Sequence, residues 1–126
     1  MLDSDECLQQ VMAIRGALGA TLVDYTSGLA VRSAGQMPSQ DYVCAAEGVA
    51  AIVHATLGSA ALATVGRPGQ LDDIVITAGN GYHLLHFLAD SPGTRLVLYL
   101  WLDRVLGNLA MAQRELSFTA TELVAG

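Results

Sequence analysis

A chain of 126 residues with 52% hydrophobic and 14% charged side chains reads as one apolar domain, residues 1–126. At this length about two-thirds of the unfolded surface can be buried. The formal net charge is -6, and all six basic residues are Arg, with no Lys. That balance excludes binding through a phosphate backbone, and the missing Lys excludes a P-loop or a Schiff-base enzyme. So thin a polar surface also implies that part of the exterior is a partner's interior.

The first residues, Met1-Leu2-Asp3-Ser4-Asp5-Glu6, are acidic, which is wrong for a signal peptide. Asp3 or Ser4 can cap a first helix with Cys7, Leu8, Val11, Met12 and Ile14 at helical spacing. Gly16 and Gly19 end it and open a strand over Ala17 to Asp24. Tyr25-Thr26-Ser27-Gly28 then turns into a returning strand, Leu29 to Ala34. Gly35, Pro38 and Ser39 break the chain before a helix from Gln40 to about Gly58, and Pro68-Gly69 marks a later loop. Asp73 to Ala78 is a short β-branched strand. The Asn80-Gly81 pair after it predicts a hairpin with positive φ at both turn positions, returning through Tyr82 to Leu88.

Asp90-Ser91-Pro92-Gly93 turns into Arg95 to Leu102, a stretch apolar on both faces. Leu96, Leu98, Leu100 and Leu102 share one side, and Val97, Tyr99 and Trp101 the other. Such a strand belongs in the middle of a sheet covered on both faces. Asp103 can cap a last helix through Leu106, Leu109, Ala112 and Leu116. The order is helix, two strands, helix, three strands, helix.

The middle helix divides into three sectors at 100° per residue. Tyr42, Val43, Val49, Ile52, Val53 and Leu57 form an aliphatic half suited to the sheet. Glu47 and His54 form a narrow polar stripe. The last sector holds Cys44, Gly48, Ala51, Ala55 and Gly58, with nothing to solvate it. A second helix is its natural cover, and an exposed Gly/Ala-rich face is the plainer alternative. Tyr42 to Leu62 is not a membrane span, since Glu47 at its middle costs about as much as its aliphatics supply together.

No constellation assembles into a catalytic or metal site, and no cofactor is expected. His83 and His86, three apart in a strand, point to opposite faces and cannot share an ion. Gly79-Asn80-Gly81 lacks the third Gly and the helix of a dinucleotide loop. Ser27, Ser59 and Ser117 lack a nucleophile elbow. Cys7 and Cys44 have no metal spacing and read as reduced, packed thiols of a cytoplasmic protein. Arg67, in a Gly-Arg-Pro-Gly loop, is presented for a partner or simply solvated.

Three stretches together resemble a bacterial roadblock-type (dynein light chain roadblock) domain. They are Gly19-Ala20-Thr21-Leu22-Val23-Asp24 with Ser27-Gly28-Leu29-Ala30, then Gly81-Tyr82-His83-Leu84-Leu85, then Leu102-Asp103-Arg104 leading to Asn108-Leu109-Ala110-Met111-Ala112-Gln113-Arg114. Ala110 and Met111 stand where that family often has Gly then Leu. The resemblance implies an α/β sandwich of the roadblock/profilin-like kind, with a five-stranded antiparallel sheet in the order α-β-β-α-β-β-β-α. It implies a homodimer joined through the strand carrying Ile74, Val75 and Ile76, with the middle helices paired across the axis. It further implies a non-enzymatic cytoplasmic adaptor of a Ras-like small GTPase, associated in some relatives with sensor-kinase-like proteins.

The expected dimer surface is therefore Cys44, Gly48, Ala51, Ala55, Ile74, Val75 and Ile76, and Glu47, His54 and Arg67 are the candidate partner contacts. Neither nucleic acid nor membrane insertion is expected. The alternative function is a small-molecule sensor of the PAS or profilin-like type, holding a ligand between sheet and helix.

Overall fold

The computed structural model describes residues 2–59, 71–88 and 95–123. Among them are three helices, α1 (Ser4–Met12), α2 (Tyr42–Leu57) and α3 (Leu109–Glu122), and five strands. The strands are β1 (Ala17–Asp24), β2 (Leu29–Gly35), β3 (Asp73–Ala78), β4 (Gly81–Phe87) and β5 (Leu96–Leu102). They form one antiparallel sheet in the order β2-β1-β5-β4-β3. The strand without a polar face is thus its centre, and the chain order α-β-β-α-β-β-β-α is the expected one. Arg67 and the Pro68-Gly69 and Asp90–Gly93 turns lie outside the described residues.

Strand alternation splits the interior into two cores. Leu98, Leu100 and Leu102 of β5 join Leu22 and Leu84 against Cys7, Leu8 and Val11 of α1 and Ala112 and Leu116 of α3. Val97, Tyr99 and partly buried Trp101 join Val23 and Leu85 against Ala46, Val49 and Val53 of α2. Burial in an apolar shell pushes the Cys7 thiol up to about 11, so it stays protonated and inert. Cys44 is also a free thiol but is exposed, contrary to the packed position expected of it.

Local chemistry explains the ends of the elements. Asp3 caps α1 in a reciprocal box, accepting from the Glu6 amide at 2.9 Å while the Glu6 carboxylate accepts from the Asp3 amide. At Gly19 a Cβ would lie 1.6 Å from the Gln36 carbonyl oxygen, so no other residue lets the chain after β2 pass this close.

Three further expectations need correction. Asp103 does not open the last helix: its carboxylate accepts from the Val105 and Leu106 amides in a turn, and Asn108 caps α3 through the Met111 amide. Gly107 closes that turn, leaving Leu106 exposed outside the helix. The β3–β4 loop is Gly79-Asn80, and the positive φ (+139°) falls on Gly81, already paired with Ala78. Finally, α2 sits on the sheet through Ala46, Val49, Ala50 and Val53, while Tyr42 and Val43 are exposed. Small side chains let the helix backbone settle on β1 and β2. The two larger residues are rotated off, with the Tyr42 hydroxyl donating to the Gly35 carbonyl.

Candidate functional site

Because α2 packs against β1 and β2, the β4–β3 half of the same sheet face is left beside it as an open groove of about 410 Å³. One wall is α2, through Cys44, Ala45, Gly48, Val49 and Ile52. The floor and far wall are Ile76, Ala78, Leu85, His83 and Tyr99, and Pro38 and Ser39 close one end. A Cβ built on Gly48 meets nothing within 4 Å. Cys44, Ala51 and Ala55 are exposed around it, so the small-residue sector of α2 is bare as the periodicity placed it.

The groove runs toward β3, which among the described residues pairs with β4 alone and so presents an unpaired backbone edge. Ile74 and Ile76 sit opposite Leu85 and His83, on the α2 side. Val75 turns to the other face and packs into the α1/α3 core. Of the expected dimer residues, the structure thus brings Cys44, Gly48 and Ile76 together around the groove, with Ala51 and Ala55 on the adjoining crown of α2. Val75 can contribute only its backbone.

One end of the groove is polar. The His83 Nδ1 lies 2.8 Å from the Tyr99 hydroxyl and its Nε2 lies 3.0 Å from the Asn80 Oδ1, with the two rings nearly parallel at 5.9 Å. Asn80 Oδ1 can only accept, so Nε2 carries a proton, and in the neutral ring Nδ1 then accepts from the Tyr99 O–H. The Asn80 carbonyl in turn accepts from the Trp101 indole at 2.9 Å, which pins the β3–β4 turn onto β5. Burial holds the His83 imidazole below its ordinary value and pushes the Tyr99 phenol up. Sequence reading set His83 aside as a bland strand residue. Its one visible signal was Tyr99, the only hydroxyl in an otherwise aliphatic and indole stretch.

Glu47 and His54 lie elsewhere. His54 Nε2 contacts the Tyr25 carbonyl oxygen at 2.6 Å and its ring meets the Tyr25 ring edge-on, so it is tied to the β1–β2 turn. At 100° per residue Glu47 lies on that same flank, across the helix crown from the groove, and it is exposed. His83 and His86 face opposite sides of β4 as expected, and the described residues contain no cluster able to hold a metal. Nor is any described helix long and apolar enough to cross a membrane.

No family model matches the chain, and no curated protein does. Among solved structures it is similar to Myxococcus xanthus MglB, at TM-score 0.75 and 21% identity, covering 92% of this chain and 87% of that one. A roadblock domain from Streptomyces avermitilis matches at TM-score 0.68 and 18% identity, over 96% and 94% of the two chains. An MglB solved with a tetrameric arrangement matches at TM-score 0.65 and 21% identity, over 94% and 88%. Identities this low carry the fold alone: the chain has the roadblock fold.

Proposed function

We propose that this chain with the roadblock fold is a self-associating, non-enzymatic cytoplasmic adaptor that regulates a Ras-like small GTPase in a bacterial signalling system. The observation that carries the reading is the continuous bare strip formed by the small-residue crown of α2, the apolar groove and the unpaired β3 edge. A second copy related by a two-fold axis satisfies all three features at once. Its α2 lies against Gly48 and Ala51, where small residues permit close approach, and its β3 extends the sheet across the axis. The tetrameric arrangement of one similar structure supports self-association of this fold.

The GTPase assignment rests on the family resemblance. In a paired molecule the Glu47 flank is a polar rim beside an apolar seam, where charged groups set orientation and association rate. His54 is held back on the Tyr25 carbonyl, so Glu47 is the stronger contact of the two, with Arg67 on its loop next in line. A sensor-kinase-like protein is a further candidate partner.

The test is calorimetric titration of the purified chain against Ras-like GTPases of its own genome, loaded with a non-hydrolysable GTP analogue. Saturable binding, weakened in Glu47→Arg while dimerisation and thermal stability hold, is the expected result. No binding to any of them removes the GTPase reading. Unchanged affinity in the variant moves the contact toward Arg67. The sensor reading draws on the groove, whose one connected polar cluster is His83, Asn80 and Tyr99; a monomer that retains a small molecule in native mass spectrometry is the outcome that favours it.

A further inference from the structure

We propose that the groove beside α2 is gated by a proton: it accepts a second copy of this chain only while His83 is neutral. The proposal rests on the self-association reading above and adds a regulatory element to the same surface.

The geometry favours the neutral ring. In the neutral ring Nε2–H donates to Asn80 Oδ1 and Nδ1 accepts from Tyr99, so both nitrogens and the phenol are satisfied together. Adding a proton to Nδ1 points an N–H at the Tyr99 oxygen. That hydroxyl must then turn its own hydrogen elsewhere, into a groove lined mostly by apolar side chains such as Val49, Ile52 and Leu85, with Ser39, Cys44 and Asn80 its other polar groups. Tyr99 is 4% exposed, so water does not readily take up the orphaned donor.

Among the described residues no carboxylate faces the ring, and Asn80 Oδ1 accepts from Nε2–H in either protonation state. From β5 come Tyr99 and Trp101, from β3 its pairing partner Ile76, and from α2 across the groove the titratable Cys44. Asp72 and Asp73 act on His86, on the opposite face of β4. Arg104 donates to the Ala78 carbonyl and lies over the ring of Tyr82, which faces the other side of β4 from His83. Burial alone therefore sets the direction of the His83 shift, downward. Covering the groove with an apolar helix takes away the remaining water and pushes it further the same way.

The sign follows from linkage. The paired form binds fewer protons at His83 than the single chain does, so association is strongest at neutral pH and above, and weakens as pH falls through the titration of the exposed ring. With one such ring per subunit, the dissociation constant should rise as pH falls from about 7.5 to about 5, toward a limiting slope of two protons per dimer.

Sedimentation equilibrium of the full chain across that range tests this, beside His83→Gln and His86→Gln. The Gln amide supplies an N–H donor group and an acceptor oxygen but does not titrate, so His83→Gln should dimerise with little pH dependence, and His86→Gln should behave as the parent. A dimer whose dissociation constant ignores pH overturns the gate and leaves the pairing intact, as does an unchanged slope in His83→Gln. A parent chain that is monomeric at pH 7.5 overturns the pairing and the gate together. Nitrogen NMR of the wild-type imidazoles supplies a readout independent of the variants. A neutral Nε2–H tautomer at His83 throughout the dimer is expected, and a charged His83 inside an intact dimer refutes the proposal.

Discussion

The two faces of the sheet use the same strand and reach different ends. On one face Leu98, Leu100 and Leu102 are sealed beneath α1 and α3 and have no contact with water. On the other, Val97 and Tyr99 are buried, but neighbouring Trp101, Ile52, Ile74 and Ile76 are only partly covered, because α2 lies on the β1–β2 half. Both sides of β5 carry comparable apolar bulk. The difference shows that hydrophobicity decides which residues seek cover, while the number and placement of helices decides whether one chain supplies it.

The strongest way to break this contrast is to cut one large side chain from each face. Leu98→Ala, at a site with 0% exposure, should cost about 3–5 kcal/mol in urea unfolding. Ile52→Ala, on the wall of the groove, should cost about 1–2 kcal/mol at dilution, and more at concentrations where copies pair. Equal losses at dilution would mean the α2 face is as closed as the other. Next in size, Ala51→Leu should weaken dimerisation by about 1–3 kcal/mol while leaving unfolding of the dilute chain nearly unchanged. Light scattering after size exclusion separates those effects, and an undisturbed dimer would clear the α2 crown of any part in the seam.

Helix caps sharpen the comparison from another side. Asn108 accepts from the Met111 amide to start α3, and Asp41 accepts from the Val43 amide at 2.9 Å to start α2. Replacing each with Ala should cost about 1 kcal/mol. Asp41→Ala should also loosen one wall of the groove and so weaken pairing, an effect that Asn108→Ala should lack.

The smallest expected effect is in the pH response. Burial lowers the His86 imidazole below its ordinary 6.5, and Asp73 and Asp72 oppose that shift. A depressed histidine contributes stability that is present above its unfolded value and is lost as pH falls toward its folded one. Thermal stability should therefore decline modestly below about pH 6.5, and Asp73→Asn, by removing an opposing charge, should steepen the decline. A parent curve flat to pH 5 would show that His86 is better solvated than its place in β4 implies.

Much of this was legible in the residues themselves. The double-sided apolarity of Leu96–Leu102 placed β5 at the centre of the sheet, since no edge position buries both sides. Strand alternation separated His83 from His86 before any coordinates did, and the small sector of α2, for which a second helix was the expected cover, is exposed in the single chain. The inward face of α2 was misread because hydrophobicity ranks Tyr42 and Val43 above Ala46 and Ala50. Close approach to β1 and β2 rewards the smaller residues instead. Similarly, Asp103 and Asn108 are both good caps, and the choice between them depended on Gly107 tucking against Leu102.

By itself, then, the sequence determined the elements, their order and the central strand, because propensity and periodicity act over a few residues and need no distant partner. Which half of a sheet face a helix covers, and which hydroxyl meets which imidazole, depends on residues far apart in the chain. His83, Asn80 and Tyr99 come from a turn and two strands, and only the register of β4 on β5 brings them together. That register is fixed by burying Leu84, Leu98 and Leu100 on the far face, so the polar cluster in the groove is set by packing on the side of the sheet it does not touch.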